Sequence, residues 1–329
     1  MKKLINQSAD YVDEVLDGLV AAHPYLVRDG ENGRVIRRTA GMRKGKVGIV
    51  SGGGSGHLPL FTGYVGTGLL DACSIGNVFE GPTVGSCMDA MRLSNGGAGV
   101  LRLYGNYGGD RMNFDMAGEM LEEEGIKTTT VLGNDDIASA SPDERQKRRG
   151  VAGIIYAYKT AGALAEKGGT LSDVTAMAQR TVDATRTLGI ALSSCHVPGA
   201  ARPSFELGDG EMEMGMGIHG EPGIWRDKLK SADAVADEMV DRLLRERPLG
   251  AGGKVSVLVN SLGATPLEEL FILYRRVALN LAKEKIEIVR PLVGHFVTSM
   301  EMAGASISLC FVDPEIEALL AAPCDCAFW

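Results

Sequence analysis

The sequence predicts two α/β domains, and three observations carry that prediction. A chain of 329 residues is long for one hydrophobic core and comfortable for two. Short apolar runs alternate with helical patterns through the first half, which points to a largely parallel sheet. Glycine, at 44 residues, occurs at about twice its average rate. It gathers in Gly52–Gly56, Gly96–Gly99, Gly105–Gly109 and Gly215–Gly223. Glycine clusters at the ends of apolar runs mark loops that approach a ligand, and open α/β sheets bind ligands off the carboxyl ends of their strands.

The elements follow in order. Val12, Val15, Leu16, Leu19 and Val20 share one helical face, with Ser8 or Asp10 as the cap. Lys46–Val50 reads as a short buried strand running into the loop Ser51-Gly52-Gly53-Gly54-Ser55-Gly56-His57. Leu69–Ser74 and Ala98–Tyr104 are further strands, the second running into Gly105-Asn106-Tyr107-Gly108-Gly109-Asp110. Phe114–Glu124 is helical, Lys127–Leu132 is a β-branched strand, and two helices follow near 149–167 and 172–187. The domain division is expected between residues 1–185 and 186–329. In the second part Val255–Val259 is a strand. Thr265-Pro266-Leu267-Glu268 supplies a cap, a first-turn proline and a capping-box glutamate for a helix to about Lys283. Ile286–Val289 and Ser306–Val312 complete the strands, and Arg245–Lys254 reads as a flexible loop. This half is α+β or α/β.

Composition excludes several function classes. Hydrophobic content of 45% and charged content of 23% are those of a globular protein. Aromatic content of 5% leaves few stacking platforms for single-stranded nucleic acid. A net charge of −8 without a basic cluster argues against nucleic acid or an anionic membrane as partner. No apolar run reaches membrane-spanning length and no signal peptide is evident, so a cytoplasmic location is expected. The six cysteines form no metal-spaced cluster and read as buried or surface thiols.

Three motifs carry chemistry. The Gly52–His57 run lacks the lysine of a phosphate-binding P-loop, and its last position breaks the dinucleotide pattern. It supplies amide donors beside an imidazole, which suits a neutral hydroxylated ligand; a tight turn with an incidental histidine is the alternative. Asp110 stands at a strand end, where a carboxylate can accept from vicinal hydroxyls and act as a base, or can cap the next helix. His219 sits among Gly215, Gly217, Gly220, Gly223 and Pro222, exposed enough to serve as a nucleophile or proton carrier, or else as a surface-loop histidine. His196, His23 and His295 read as structural: His23 at a helix end, His295 in the core or an interface. Glu211, Glu213 and Glu221 are assigned no chemistry. No nucleophile elbow and no zinc-protease motif occur.

Together Ser51–His57, Asn106–Asp110, Gly217–Gly223, Val259–Pro266 and the opening Met1–Asn6 make the whole chain resemble the dihydroxyacetone kinase K-subunit family. The resemblance implies two α/β domains, the second an α/β sandwich carrying a histidine that binds substrate covalently. It implies that His219 adds to the ketone carbonyl as a hemiaminal, a bond glycerol cannot form. It implies that His57 and Asp110 bind the hydroxyls and deprotonate one of them, with Gly53 and Gly54 as backbone contacts. No cofactor is expected in this chain: ATP or ADP with Mg is expected on a separate DhaL-type nucleotide-binding subunit. A homodimer is implied too.

Three positions depart from the family pattern. Gly105 replaces a common lysine, Gly81 a substrate-contacting serine, and Leu58 a common glutamate. Losing the serine makes space, which suits a longer ketose such as four-carbon erythrulose. The rival readings are a non-catalytic ketose sensor and a sugar-phosphate isomerase. The absence of lysine and arginine from residues 51–66 speaks against the isomerase.

Overall fold

The computed structural model describes residues 2–329, which form two compact units. The first comprises the chain up to Leu132, Ala157–Arg180 and Ala322–Trp329; the second comprises Gly133–Tyr156 and Thr181–Ala321. The division expected near residue 185 lies close to the crossing between Arg180 and Thr181. Residues 133–156 and 322–329 depart from a single linear cut.

The first unit is built on a six-stranded sheet of order β1-β2-β4-β3-β5-β6: β1 (Leu26–Asp29), β2 (Val35–Arg38), β3 (Gly48–Ser55), β4 (Ala72–Val78), β5 (Val100–Gly105) and β6 (Thr128–Gly133). Strands β4, β3 and β5 run parallel, and β1 and β2 add an antiparallel edge. The helices are α1 (Tyr11–Ala22), α2 (Val84–Leu93), α3 (Gly108–Glu123), α4 (Ile154–Glu166) and α5 (Leu171–Asp183). Val50, Ala72, Val100 and Tyr104 from the sheet close a core with Met88 and Met91 of α2 and Phe114, Ala117 and Leu121 of α3. The last three follow the 3–4 residue spacing that gives a helix one apolar face. Val12, Leu16 and Leu19 of α1 are buried as its periodicity predicts, but neither Ser8 nor Asp10 caps it by a side-chain bond: Ser8–Asp10 is a 3₁₀ turn leading into the helix.

The largest difference from expectation lies in the first glycine run. Strand β3 does not end at Val50 but continues through Gly52, Gly53 and Gly54, which pair with Ser74, Ile75 and Gly76 of β4. The reason is packing: a Cβ at residue 52 would lie 2.4 Å from the Ser74 carbonyl oxygen, and one at 53 would lie 2.3 Å from Phe61. These glycines let neighbouring groups touch the strand backbone.

The second unit carries β7 (Thr185–Ala191), β8 (Glu211–Met214), β9 (Trp225–Lys228), β10 (Lys254–Ser261), β11 (Glu287–Ile288), β12 (Leu292–Gly294) and β13 (Gly304–Phe311). The sheet order is β11-β10-β13-β7-β8-β9, with β12 also on β10. The pairs from β10 to β9 are antiparallel, while β11 and β12 run parallel to β10. Helices α6 (Ala232–Arg245) and α7 (Leu267–Lys283) bury one side of this sheet, and α8 (Pro314–Leu320) follows β13. In α6, Val235, Ala236, Met239, Val240 and Leu243 are buried at helical spacing, and the Ser231 hydroxyl accepts from Ala234 N at 3.3 Å. The expected Thr265 cap of α7 is absent. Pro266 holds that position, and the Thr265 hydroxyl accepts from Gly304 N at 2.8 Å.

Candidate functional site

In the first unit the carboxyl ends of β3, β4 and β5 bring Gly53, Gly54, His57, Phe79, Gly81 and Asp110 into one neighbourhood. His57, only 2% exposed, follows β3. Its ring stacks on Phe79 with centroids 5.0 Å apart and meets Phe61 edge-on at 6.5 Å. Both phenylalanines have positive φ, 66° at Phe61 and 61° at Phe79. Five non-glycine residues among those described share that feature, and two of them flank this imidazole.

Phe79 is held from two sides. Its N–H donates to Ser55 O at 3.0 Å, and a Cβ on Gly54 would lie 2.7 Å from the Phe79 Cα. A bulge between Gly54 and Ser55 shifts the register so that Ser55 pairs with Val78. Asp110 lies in the first turn of α3, whose cap position is Tyr107; it is not itself the cap. A Cβ on Gly81 would lie 2.7 Å from Asp110 Oδ1, so the missing side chain at 81 leaves that space to the carboxylate. Asn113 Nδ2 donates to Pro82 O at 2.7 Å and ties α3 to the Gly81 loop. Gly81 also lines a cavity of about 280 Å³ with Asp13, Arg34, Gly76, Asn77 and Thr83. Gly105 closes β5, where its carbonyl accepts from Tyr107 N at 2.8 Å, and Leu58 is 37% exposed.

His219 belongs to the second unit. It follows β8 in a loop turned by Gly215 and Gly220, with φ of 83° and 85°. Its ring is part-buried. Nδ1 lies 3.0 Å from Glu221 Oε1, and its backbone N–H donates to Glu221 Oε2 at 3.0 Å. Burial alone would raise the Glu221 carboxyl. The hydrogen bond and charge of His219, with the Arg149 guanidinium 3.7 Å away, outweigh it and hold the group down at about 2. An ionised carboxylate only accepts, so Nδ1 carries the proton, and when the ring is neutral its lone pair resides on Nε2. Arg149 is positioned in turn by Asp136, with Nε to Oδ2 at 2.9 Å, and by the Gly215 carbonyl at 3.1 Å. Burial pushes Asp136 up to about 6 against the pull of Arg149. A Cβ on Gly217 would lie 2.1 Å from Glu221 Oε2, so that glycine admits the carboxylate.

Sequence reasoning named Glu221 without giving it chemistry, and it missed Arg149 and Asp136. Glu221 stands two residues from His219, and that spacing was the available signal; the other two reach it only through the fold. Of the remaining histidines, His23 is the residue after α1 and meets Tyr25 and Phe328 edge-on. His196 N donates to Glu301 Oε1 at 2.8 Å. His295 is exposed, not core, with Nε2 3.2 Å from Gly263 O.

Comparison with known proteins places these motifs in a family. The Dak1 domain model matches residues 17–328. The chain belongs to the Dak1 domain family. It is 44% identical over 330 residues to a dihydroxyacetone-binding subunit DhaK of a PTS-dependent dihydroxyacetone kinase from Listeria innocua, covering 100% of this chain and 99% of that one. It is 43% identical over 327 residues to an L-erythrulose 1-kinase of Mycolicibacterium smegmatis, covering 98% of this chain but 57% of that protein. The dihydroxyacetone kinase of C. freundii superposes with a TM-score of 0.91 at 35% identity, covering 100% of this chain and 60% of that one. The chain thus spans the full length of one kind of Dak1 relative and a little over half of another. Among the described residues, no helix is long and apolar enough to cross a membrane.

Proposed function

We propose that this chain is the substrate-binding subunit of a short-chain ketose kinase, taking dihydroxyacetone or erythrulose. The observation that carries this reading is the Nδ1-to-Glu221 pairing of His219, in a chain 44% identical over its whole length to a dihydroxyacetone-binding subunit. With Nδ1–H engaged, the Nε2 lone pair adds to the ketone carbon. The carbonyl π pair moves to oxygen, which takes a proton from solvent. The charge left on the ring is balanced by Glu221, whose low pKa keeps it ionised. His57 and Asp110 handle the hydroxyls and are the candidate bases for the one that attacks phosphorus. Gly53 and Gly54 offer backbone contacts. Gly81 keeps a side chain away from the Asp110 carboxylate, which suits a four-carbon ketose, and Gly105 leaves out a charged side chain at the end of β5.

Phosphoryl transfer needs charge neutralisation by metal and nucleotide. In this proposal ATP or ADP with Mg rides on a DhaL-type partner, and the subunit works as a cytoplasmic homodimer. Intact-mass spectrometry after mild reduction-free quenching tests the centre of it. The protein gains the mass of one ketose, and His219→Ala gains none; an adduct that persists in His219→Ala refutes the assigned nucleophile. Retention of the C3 ketone with no retention of C4 ketoses overturns the erythrulose reading. Turnover with an L-type subunit, ATP and Mg²⁺ separates the kinase from a ketose sensor, which would bind without forming sugar phosphate.

A further inference from the structure

The peptide bond between Ile218 and His219 is gripped at both ends. Its N–H donates to Glu221 Oε2 at 3.0 Å. Its carbonyl accepts from the hydroxyl of Ser299, 81 residues further along the chain. A peptide unit is a rigid plane, so bonds to its two opposite edges stop it turning about the line between its Cα atoms. That sets the direction in which the His219 side chain leaves the backbone, and the Nδ1 contact with Glu221 Oε1 sets the ring. Glu221 supplies two of these three grips and Ser299 the third.

Ser299 is fully buried. Its hydroxyl proton is committed to the Ile218 carbonyl, so Ser299 Oγ accepts in its contact with Cys195 Sγ at 3.8 Å. Cys195 Sγ lies in turn 3.3 Å from Ser204 Oγ. A Cβ on Gly220 would lie 3.4 Å from that same Ser204 oxygen. Ser299 and Ser204 therefore meet the residues on either side of His219.

The platform under Ser299 comes from Val259–Pro266, a stretch singled out by the family likeness and given no task by the ketose chemistry. Asn260 is fully buried and satisfies both ends of its amide. Its Oδ1 accepts from Phe296 N and Val297 N, both at 2.9 Å. Its Nδ2 donates to Val297 O at 2.7 Å and to Ser306 Oγ at 3.1 Å. Ser299 N then donates to Leu262 O at 2.7 Å. Met300 turns left-handed at φ 52°, and a Cβ on Gly263 would lie 2.0 Å from the Met300 carbonyl oxygen. Gly263 itself has φ 142°, so both its conformation and its surroundings demand glycine. The carboxyl end of β10 thus seats the turn that presents the Ser299 hydroxyl.

We propose that Ser299 is a positioning residue for His219, and that the Val259–Pro266 motif holds it in place. The hydroxyl acts through the backbone: by fixing the peptide before His219 it keeps Nε2 on one line of approach to a ketone carbon. This rests on the reading of His219 as the ketone-binding nucleophile.

The test compares Ser299→Ala with Ser308→Ala. The second removes another fully buried hydroxyl of the same unit, which accepts from Thr187 Oγ1 at 2.7 Å within the sheet. Three quantities are read on the full chain: the ketose adduct by intact mass over a range of dihydroxyacetone concentrations, the urea midpoint, and the exchange rate of the His219 amide hydrogen without ketose. Ser299→Ala is expected to lower adduct formation about 10- to 100-fold, the scale of a reacting group displaced by about 1 Å. It is also expected to speed exchange of the His219 amide. Ser308→Ala is expected to lower the urea midpoint to a similar extent and to change neither the adduct nor the amide. Should Ser299→Ala not fold, Ser299→Cys fills the same space with a weak donor and carries the same expectation. The proposal is overturned if the Ser299 variant forms the adduct like the unaltered protein. It is equally overturned if Ser308→Ala loses as much adduct, since the effect would then follow stability alone. Absence of the adduct in the unaltered protein is a different failure and removes the ketose-kinase reading. Amide exchange then decides on Ser299 by itself, and an unchanged rate in Ser299→Ala overturns its grip on the peptide.

Discussion

The two candidate histidines, one in each unit, are held by opposite means. His57 in the first unit is fixed by shape: it is 2% exposed, stacked on Phe79 and edged by Phe61, with glycines drawing the surrounding backbone inward. His219 in the second unit is fixed by charge, through Glu221, Arg149 and Asp136, on a loop that leaves its ring partly exposed. In the proposed roles, a base that must stay put tolerates a rigid aromatic cage, while a nucleophile that must admit a carbonyl carbon needs an open side, with its ring oriented through one nitrogen. The difference predicts that the first site fails through packing and the second through electrostatics.

The largest expected effect breaks the steric side. Gly54→Ala places a methyl 2.7 Å from the Phe79 backbone, and neither strand can yield cheaply. A loss of about 3 kcal/mol in stability is expected, read from the urea midpoint. Next, Glu221→Gln keeps the size of the side chain and removes its charge. Ketose adduct formation is expected to fall about 10- to 100-fold, the scale seen when the orienting partner of a metal-ligating histidine is lost, and the urea midpoint at pH 7 is expected to fall with the loss of the ionised carboxylate's contribution. An unchanged adduct rate would show that His219 does not depend on charge.

Acid titration sharpens the same contrast. The Glu221 carboxyl is lowered in the folded state, from 4.5 to about 2. Its contribution is therefore complete above the unfolded value and is lost as pH falls from about 4.5 towards 2. It amounts to about 2 kcal/mol after allowance for partial exposure. Asp136, raised to about 6, has the opposite sign and costs stability as pH rises through that value. The difference between unaltered protein and Glu221→Gln across the acid limb isolates the Glu221 contribution. The smallest effect concerns substrate length. Gly81→Ser puts a side chain into the space of the Asp110 carboxylate, and the ratio of C4 to C3 adduct is expected to fall roughly 10-fold, the scale of one methylene in a pocket.

The fold class and the strand–helix order of the first unit were legible because hydrophobic period is local. The second unit was less so. Helix α6 and the β8–β9 hairpin went unread, since the hairpin joins strands across Gly215–Gly223 and looks like loop composition. The glycine run of β3 was read as loop for the same reason: glycine signals a bend or a close approach equally, and only the packing of Ser74, Phe61 and Phe79 decides between them. Thr265 carried a correct-looking cap signature that the fold spends on Gly304 instead. The candidate residues His57, Asp110 and His219 were visible as residue types in glycine-rich settings. Arg149 and Asp136, about 70 and 83 residues upstream of His219, were not, because no local pattern links a guanidinium to a carboxylate that far along the chain.

The first unit takes its last piece from Ala322–Trp329, where Asp325 N bonds to Thr67 O at 2.9 Å and Gly66 and Gly68 make room for that segment. During synthesis the ribosome must therefore deliver nearly the whole chain before this unit is complete, although its first 132 residues emerge early. Nor can one proteolytic cut release either unit intact. A recombination break within the chain therefore parts segments that one unit needs together.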